Sequence, residues 1–171
     1  MSNLVPINKD PRGLVTLDLE EFYHHGEHVI YDLRQNLFQD SIIREEEFRA
    51  FVSDYDWSQY EDKNVVITCS ANAIIPTWTY MLLSSAIAPY ANYVYYGDIS
   101  DINDVLFKNA LSKLDIEQFR NERVVLKGCG SKKVPLSAYV DIVRLLQPVV
   151  QSIMYGDPCS TVPIYRRPSK K

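Results

Sequence analysis

Apolar residues recur along this chain in two rhythms, one suited to strands and one to helices. The run LVTLDLEEF alternates, with Val15, Leu17 and Leu19 on one side, and predicts a half-buried strand from Leu14 to Phe22. The polar stretch YHHGEH, centred on Gly26, turns the chain, and Val29–Leu33 form a return strand. Together they predict an antiparallel hairpin at the start of the domain. Between Arg44 and Trp57 the spacing becomes helical, with Phe48, Phe51, Val52 and Tyr55 on one side. Glu45, Glu46 and Glu47 suit the positive end of that helix's dipole.

From Asn64 onward, short apolar runs alternate with longer amphipathic ones. Strands are expected over Asn64–Cys69, Tyr93–Asp98, Arg123–Cys129 and Ser152–Asp157. Helices are expected over Pro76–Ala91, with Pro76 at the first helical position, over Ile102–Arg120, with Asp115 as a break, and over Ser137–Val150, with Ser137 as a cap. Strand and helix in strict alternation imply parallel strands joined by right-handed crossovers. The expected fold is therefore α/β with three layers. It has a mainly parallel four-stranded sheet wound like flavodoxin or a Rossmann domain, with the hairpin at its N-terminal end. No long-period repeat stands out, although YYGD at Tyr95–Asp98 echoes MYGD at Met154–Asp157.

The length of 171 residues suits one domain, expected over residues 14–168 after a loose lead-in at 1–13 and before a short tail at 169–171. The basic stretch YRRPSKK reads as a solvated, frayed terminus. A net charge of -4 argues against nucleic acid as a partner. The N-terminus has no apolar signal region, and the longest apolar run, Tyr80–Ala91, is too short and interrupted to span a bilayer. These features point to the cytoplasm, where thiols stay reduced, so the three cysteines are not a disulfide framework.

Those cysteines carry the candidate chemistry. Cys69, Cys129 and Cys159 each fall at or just past the end of a predicted strand, the side on which open parallel sheets bind ligands. In a 2-1-3-4 strand order, the three strands that carry them lie side by side, about 4.8 Å apart. Thiolates sharing a tetrahedral metal at about 2.3 Å sit somewhat under 4 Å from one another, a gap that loops can close. Asp157, two residues before Cys159, is the candidate fourth ligand, and Asp98 is a poorer one. Gly128 and Gly130 flank Cys129 and let the backbone approach a ligand closely. The spacing matches no paired C-x-x-C zinc pattern, and buried cysteine is often only a small hydrophobe.

Other constellations carry less. His24, His25 and His28 share one polar turn and read as exposed. There is no Walker A or G-x-G-x-x-G sequence, and GCGSKK after a strand resembles a phosphate loop only loosely. A lone reactive cysteine is the competing reading. Cys129 would be its nucleophile for acyl or sulfur transfer, with Asp157 or Asp98 as acid or base. A non-catalytic interaction module with inert cysteines is the third.

The stretches VVITCSANAIIPTWTYMLL, VVLKGCGSKKVPLSAYV and LLQPVVQSIMYGDPCSTVPIYRRP resemble a domain-of-unknown-function family of Bacteroidetes-type bacterial proteins. So do GLVTLDLEEFY and FRAFVSDYDWSQY, and the resemblance runs from about Gly13 to Pro168. It brings no activity. It implies a genomic setting beside genes for sulfur mobilisation and iron–sulfur assembly. The implied role is an accessory factor that binds an iron–sulfur cluster, iron or zinc through Cys69, Cys129 and Cys159, with iron–sulfur assembly proteins as partners.

Overall fold

A computed structural model of the protein describes residues 9–128, 130–157 and 160–168. In chain order its elements are β1 (Leu14–Asp18), β2 (His28–Asp32), α1 (Glu45–Asp54), β3 (Asn64–Thr68), α2 (Thr77–Ile87), β4 (Tyr93–Tyr96), α3 (Ile102–Ser112), β5 (Arg123–Lys127), α4 (Leu136–Leu146), β6 (Ser152–Asp157) and β7 (Ser160–Arg166). The chain divides into two compact units. A continuous unit spans His25–Ile102, and a split unit is made of the flanking stretches, up to His24 and from Asn103 onward. The fold is mixed α/β, and each unit has its own sheet.

In the continuous unit, β2, β3 and β4 pair in that order, all parallel. In the split unit the order is β1-β5-β6-β7, with the first three strands parallel and β7 antiparallel to β6. The strands expected in one four-stranded sheet are therefore shared between two sheets, two in each. The opening hairpin does not form either. β1 pairs with β5, and β2 pairs with β3. The central strands β3 and β5 are buried through Val65, Val66, Ile67, Val124, Val125 and Leu126, as expected of parallel strands covered on both faces.

The two units are built to one plan. Each begins with a strand whose last residue is an aspartate, followed by one turn of 3-10 helix. Asp18 caps its turn by accepting the Glu20 N–H at 2.9 Å, and Asp32 caps the matching turn by accepting the Arg34 N–H at 3.0 Å. Beyond that point the correspondence is gapless. The 3-10 turn at Trp57, then β3 at Asn64, α2 at Thr77 and β4 at Tyr93 match a turn at Ile116, β5 at Arg123, α4 at Leu136 and β6 at Ser152, each 59 residues later. The cores correspond as well. Phe48, Tyr60, Val65, Ile67, Leu83 and Ile87 fill one, and Phe107, Phe119, Val124, Leu126, Ile142 and Leu146 fill the other. The YYGD and MYGD echo is thus one corner of an internal duplication.

Local differences from the sequence reading have simple causes. The strand expected to reach Phe22 stops at Asp18, because the Asp18 cap turns the chain. Asp115 does break the third helix, by capping the turn at Ile116–Phe119 through the Glu117 N–H. Ser137 does not cap α4. Pro135 holds the N-cap position, and the Ser137 hydroxyl bonds Asp104 instead. The basic tail is partly structured. Tyr165 and Arg166 belong to β7, and Arg167 bonds the Asn121 side chain at 2.7 Å and the Val149 carbonyl at 2.6 Å.

Candidate functional site

In the split unit, the carboxyl ends of β1, β5 and β6 lie side by side, with Asp18 opposite Lys127 and Leu126 opposite Tyr155. This places the turn after β1 beside the loop that follows β5. Glu20 projects from that turn, and its carboxylate accepts three successive backbone N–H groups, from Gly130, from Ser131 at 3.1 Å and from Lys132 at 3.2 Å. The Lys132 ammonium lies 3.5 Å from the Glu20 carbonyl oxygen and 5.7 Å from the Tyr23 ring centroid. The Lys132 N–H, then those of Gly130 and Ser131 and the Lys132 charge, hold the Glu20 carboxyl below its ordinary range against some desolvation. A Cβ on Gly130 would stand 2.5 Å from a Glu20 carboxylate oxygen, so a side chain here would push the carboxylate off the loop.

Two more contacts fix the site's edges. The Tyr139 hydroxyl, on α4, donates to the Gly128 carbonyl at 2.6 Å and pins the start of the loop. The Lys127 ammonium lies 3.0 Å from an Asp157 carboxylate oxygen, tying the end of β5 to the end of β6. Asp157 then faces Ser160 across the β6–β7 hairpin.

The predicted ligands fall unevenly on this frame. Cys129 and Cys159 lie outside the described residues. In sequence each stands two residues past a member of the Lys127–Asp157 pair. Asp157 is described, exposed and occupied by Lys127. Cys69 belongs to the continuous unit, at the end of β3, so the strand order that was to align three cysteine-bearing strands in one sheet does not occur. Its thiol is half-buried at the edge of that unit's core, 3.7 Å from the Ala71 carbonyl. Asp98 is in the same unit, where it caps a 3-10 turn by accepting the Ser100 N–H at 2.7 Å. Among the described residues, no group of three or more His, Cys, Asp or Glu is placed to hold a metal ion.

The duplication sharpens the comparison. At the same offset of 59 residues in sequence, Ser70 and Ser100 align with Cys129 and Cys159, and Cys69 aligns with Gly128. The loop GCGSKK corresponds to CSANAI, and Glu20 corresponds to Arg34. The continuous unit's loop is neutral. Its Ser70 N–H donates to the Asp32 carboxylate at 3.0 Å, and Arg34 turns away to Asp40 at 3.3 Å. Sequence reasoning missed Glu20. The paired strings LDLEEF and YDLRQN, in which Glu20 and Glu21 stand against Arg34 and Gln35 opposite loops that differ in charge, carry the signal that would have found it.

The model of the family of proteins of unknown function DUF2480 matches residues 7–167, and the chain belongs to that family. No curated protein and no solved structure matches it. Among the described residues, no helix is long and apolar enough to cross a membrane.

Proposed function

We propose that this DUF2480 protein works through a thiol site in its split unit, where Cys129 and Cys159 bind a thiophilic metal or an iron–sulfur cluster with Asp157 as a further ligand. The observation that carries the reading is the Lys127–Asp157 ion pair. It holds together the ends of two neighbouring parallel strands, and each strand reaches a cysteine two residues later. Thiolates are the main protein ligands of iron–sulfur clusters and bind zinc equally well. Two thiolates and one displaceable carboxylate make a labile set, suited to an accessory factor that passes a cluster or metal to iron–sulfur assembly proteins in the cytoplasm. Cys69 takes no part in this set.

The test is the metal and acid-labile sulfide content of the anaerobically purified protein, compared with Cys129→Ser/Cys159→Ser and with Cys69→Ser. Iron with sulfide, or zinc, lost in the double variant and kept in Cys69→Ser is the expected result. A wild-type protein without metal or sulfide overturns the reading. That outcome favours a second one, in which Cys129 is a lone nucleophile for acyl or sulfur transfer. The three N–H groups that directly follow Cys129 and gather an anion support it. Its signature is one thiol alkylated much faster than the others.

A further inference from the structure

The Glu20 carboxylate is bound in the way proteins bind inorganic oxyanions. Successive backbone N–H groups that converge on one point form a nest for negative charge, independent of any side chain. Here three such groups, from Gly130, Ser131 and Lys132, meet on one carboxylate, and the missing Cβ of Gly130 makes the room for it. Lys132 and the neighbouring Lys133 add positive charge to the same loop.

The sister loop shows that the scaffold does not require this arrangement. At the corresponding positions it has Ala71 for Gly130, Ala73 for Lys132 and Ile74 for Lys133, and Arg34 stands where Glu20 does. The duplicated fold is complete without loop lysines and without an acid at the position of Glu20. The split unit has both. Glu20 sits at the surface in a half-exposed position, so it can leave the nest for water without unmaking a core.

We infer that the Gly130–Lys132 loop is a binding site for a tetrahedral oxyanion of the phosphate or sulfate class, and that Glu20 is a built-in stand-in that the ligand displaces. The inference does not depend on what the neighbouring thiol does. A bound metal, a nucleophilic thiolate and an inert cysteine are all compatible with it. The displaced Glu20 also gives the loop two states, closed on its own acid or opened onto a ligand.

The experiment is a titration of full-length protein with sodium phosphate at constant ionic strength, read from the backbone amide resonances of Gly130, Ser131 and Lys132. Glu20→Gln keeps the side chain's shape and removes the competing charge. It is expected to bind phosphate at least tenfold more tightly than wild type, with shifts centred on those three amides. Adding Gly130→Ala to Glu20→Gln is expected to abolish the shifts. A Glu20→Gln protein that folds but binds no more tightly than wild type overturns the proposal and leaves Glu20 as a loop staple. So does binding that survives Gly130→Ala. Should Glu20→Gln fail to fold, the wild-type protein at higher phosphate decides: shifts at the three amides support the site, and their absence overturns it. Repeating the titration with glycerol phosphate separates sources. Tighter binding of the ester assigns the anion to an organic ligand, and tighter binding of the free ion assigns it to inorganic phosphate. Performing both in Cys129→Ser keeps a failure here distinct from a failure of the thiol reading.

Discussion

Tyr139 meets Tyr155 edge to face, ring centroids 5.7 Å apart, and the same pair recurs in the other unit as Tyr80 and Tyr96 at 5.0 Å. In both units the pair joins the second helix of the repeat to its third strand. The split unit adds the Tyr139 hydroxyl bond to the Gly128 carbonyl, which couples this packing to the loop that carries Cys129. Tyr139→Phe keeps the ring and removes that bond. The expected loss of stability is about 1 kcal/mol, measured by urea denaturation. Faster hydrogen exchange at the amides of residues 130–132 is expected with it, and unchanged exchange there would show that the bond does not hold the loop.

Tyr31 predicts a pH dependence. It is fully buried in the continuous unit, against Trp57 and Tyr60, and its hydroxyl donates to the Asn36 side chain at 2.7 Å. Burial pushes its pKa well above the ordinary value near 10, against the pull of the Asn36 bond. The native state therefore keeps a proton that the unfolded chain loses. The resulting stabilisation is whole below about pH 10 and falls as pH rises beyond it, by about 1.4 kcal/mol per pH unit for one proton. Tyr60 is raised by burial as well and adds to the slope. In Tyr31→Phe the alkaline slope should decrease by one proton, with a loss of about 1 kcal/mol at neutral pH from the missing Asn36 bond. Denaturant midpoints from pH 8 to 11 test both.

Gly156 is the backbone hinge of the β6–β7 hairpin. Its φ of +119° is open to glycine and strained for other residues, and a Cβ there would stand 2.6 Å from the Ser160 carbonyl oxygen. Because that contact is with backbone, it cannot be relieved by rotating a side chain. Gly156→Ala is expected to cost about 1–3 kcal/mol. If the proposed thiol site holds a metal, the variant should also lower the metal content of the anaerobically purified protein. A variant as stable as wild type would show that the turn has another low-energy path.

The elements were legible in this sequence, and their partners were not. The apolar runs at Asn64, Arg123 and Ser152 formed strands, and the stretches Pro76–Ala91 and Ser137–Val150 formed helices that end earlier, at Ile87 and Leu146. Pairing is a different matter. The alternation in LVTLD shows which side of β1 is buried, and it is equally satisfied by β2 across a glycine turn or by β5 far along the chain. The duplication stayed hidden because it preserves residue type more than identity, as with Tyr60 for Phe119 and Leu83 for Ile142, and because β1 and β2 both precede the tandem part. Once the strands are divided between two sheets, the single-sheet strand order that was to align the three cysteines is gone. Glu20 acquires its role only through the β1–β5 pairing, which brings it to a loop over a hundred residues away.

The Lys127–Asp157 pair allows the ligand role of Asp157 to be separated from its structural role. Both side chains are substantially exposed, 34% for Lys127 and 67% for Asp157, so the ion pair contributes less than about 1 kcal/mol. Asp157→Asn should leave the melting temperature nearly unchanged. If Asp157 is a ligand, the same variant loses metal, because a neutral amide replaces a carboxylate at the ion. Lys127→Met breaks the same ion pair and leaves the carboxylate free, so it should keep wild-type metal content or raise it. Opposite effects in the two variants, at equal stability, assign Asp157 to the metal. Equal metal content in both removes Asp157 from the ligand set and leaves it as the clasp between β5 and β6.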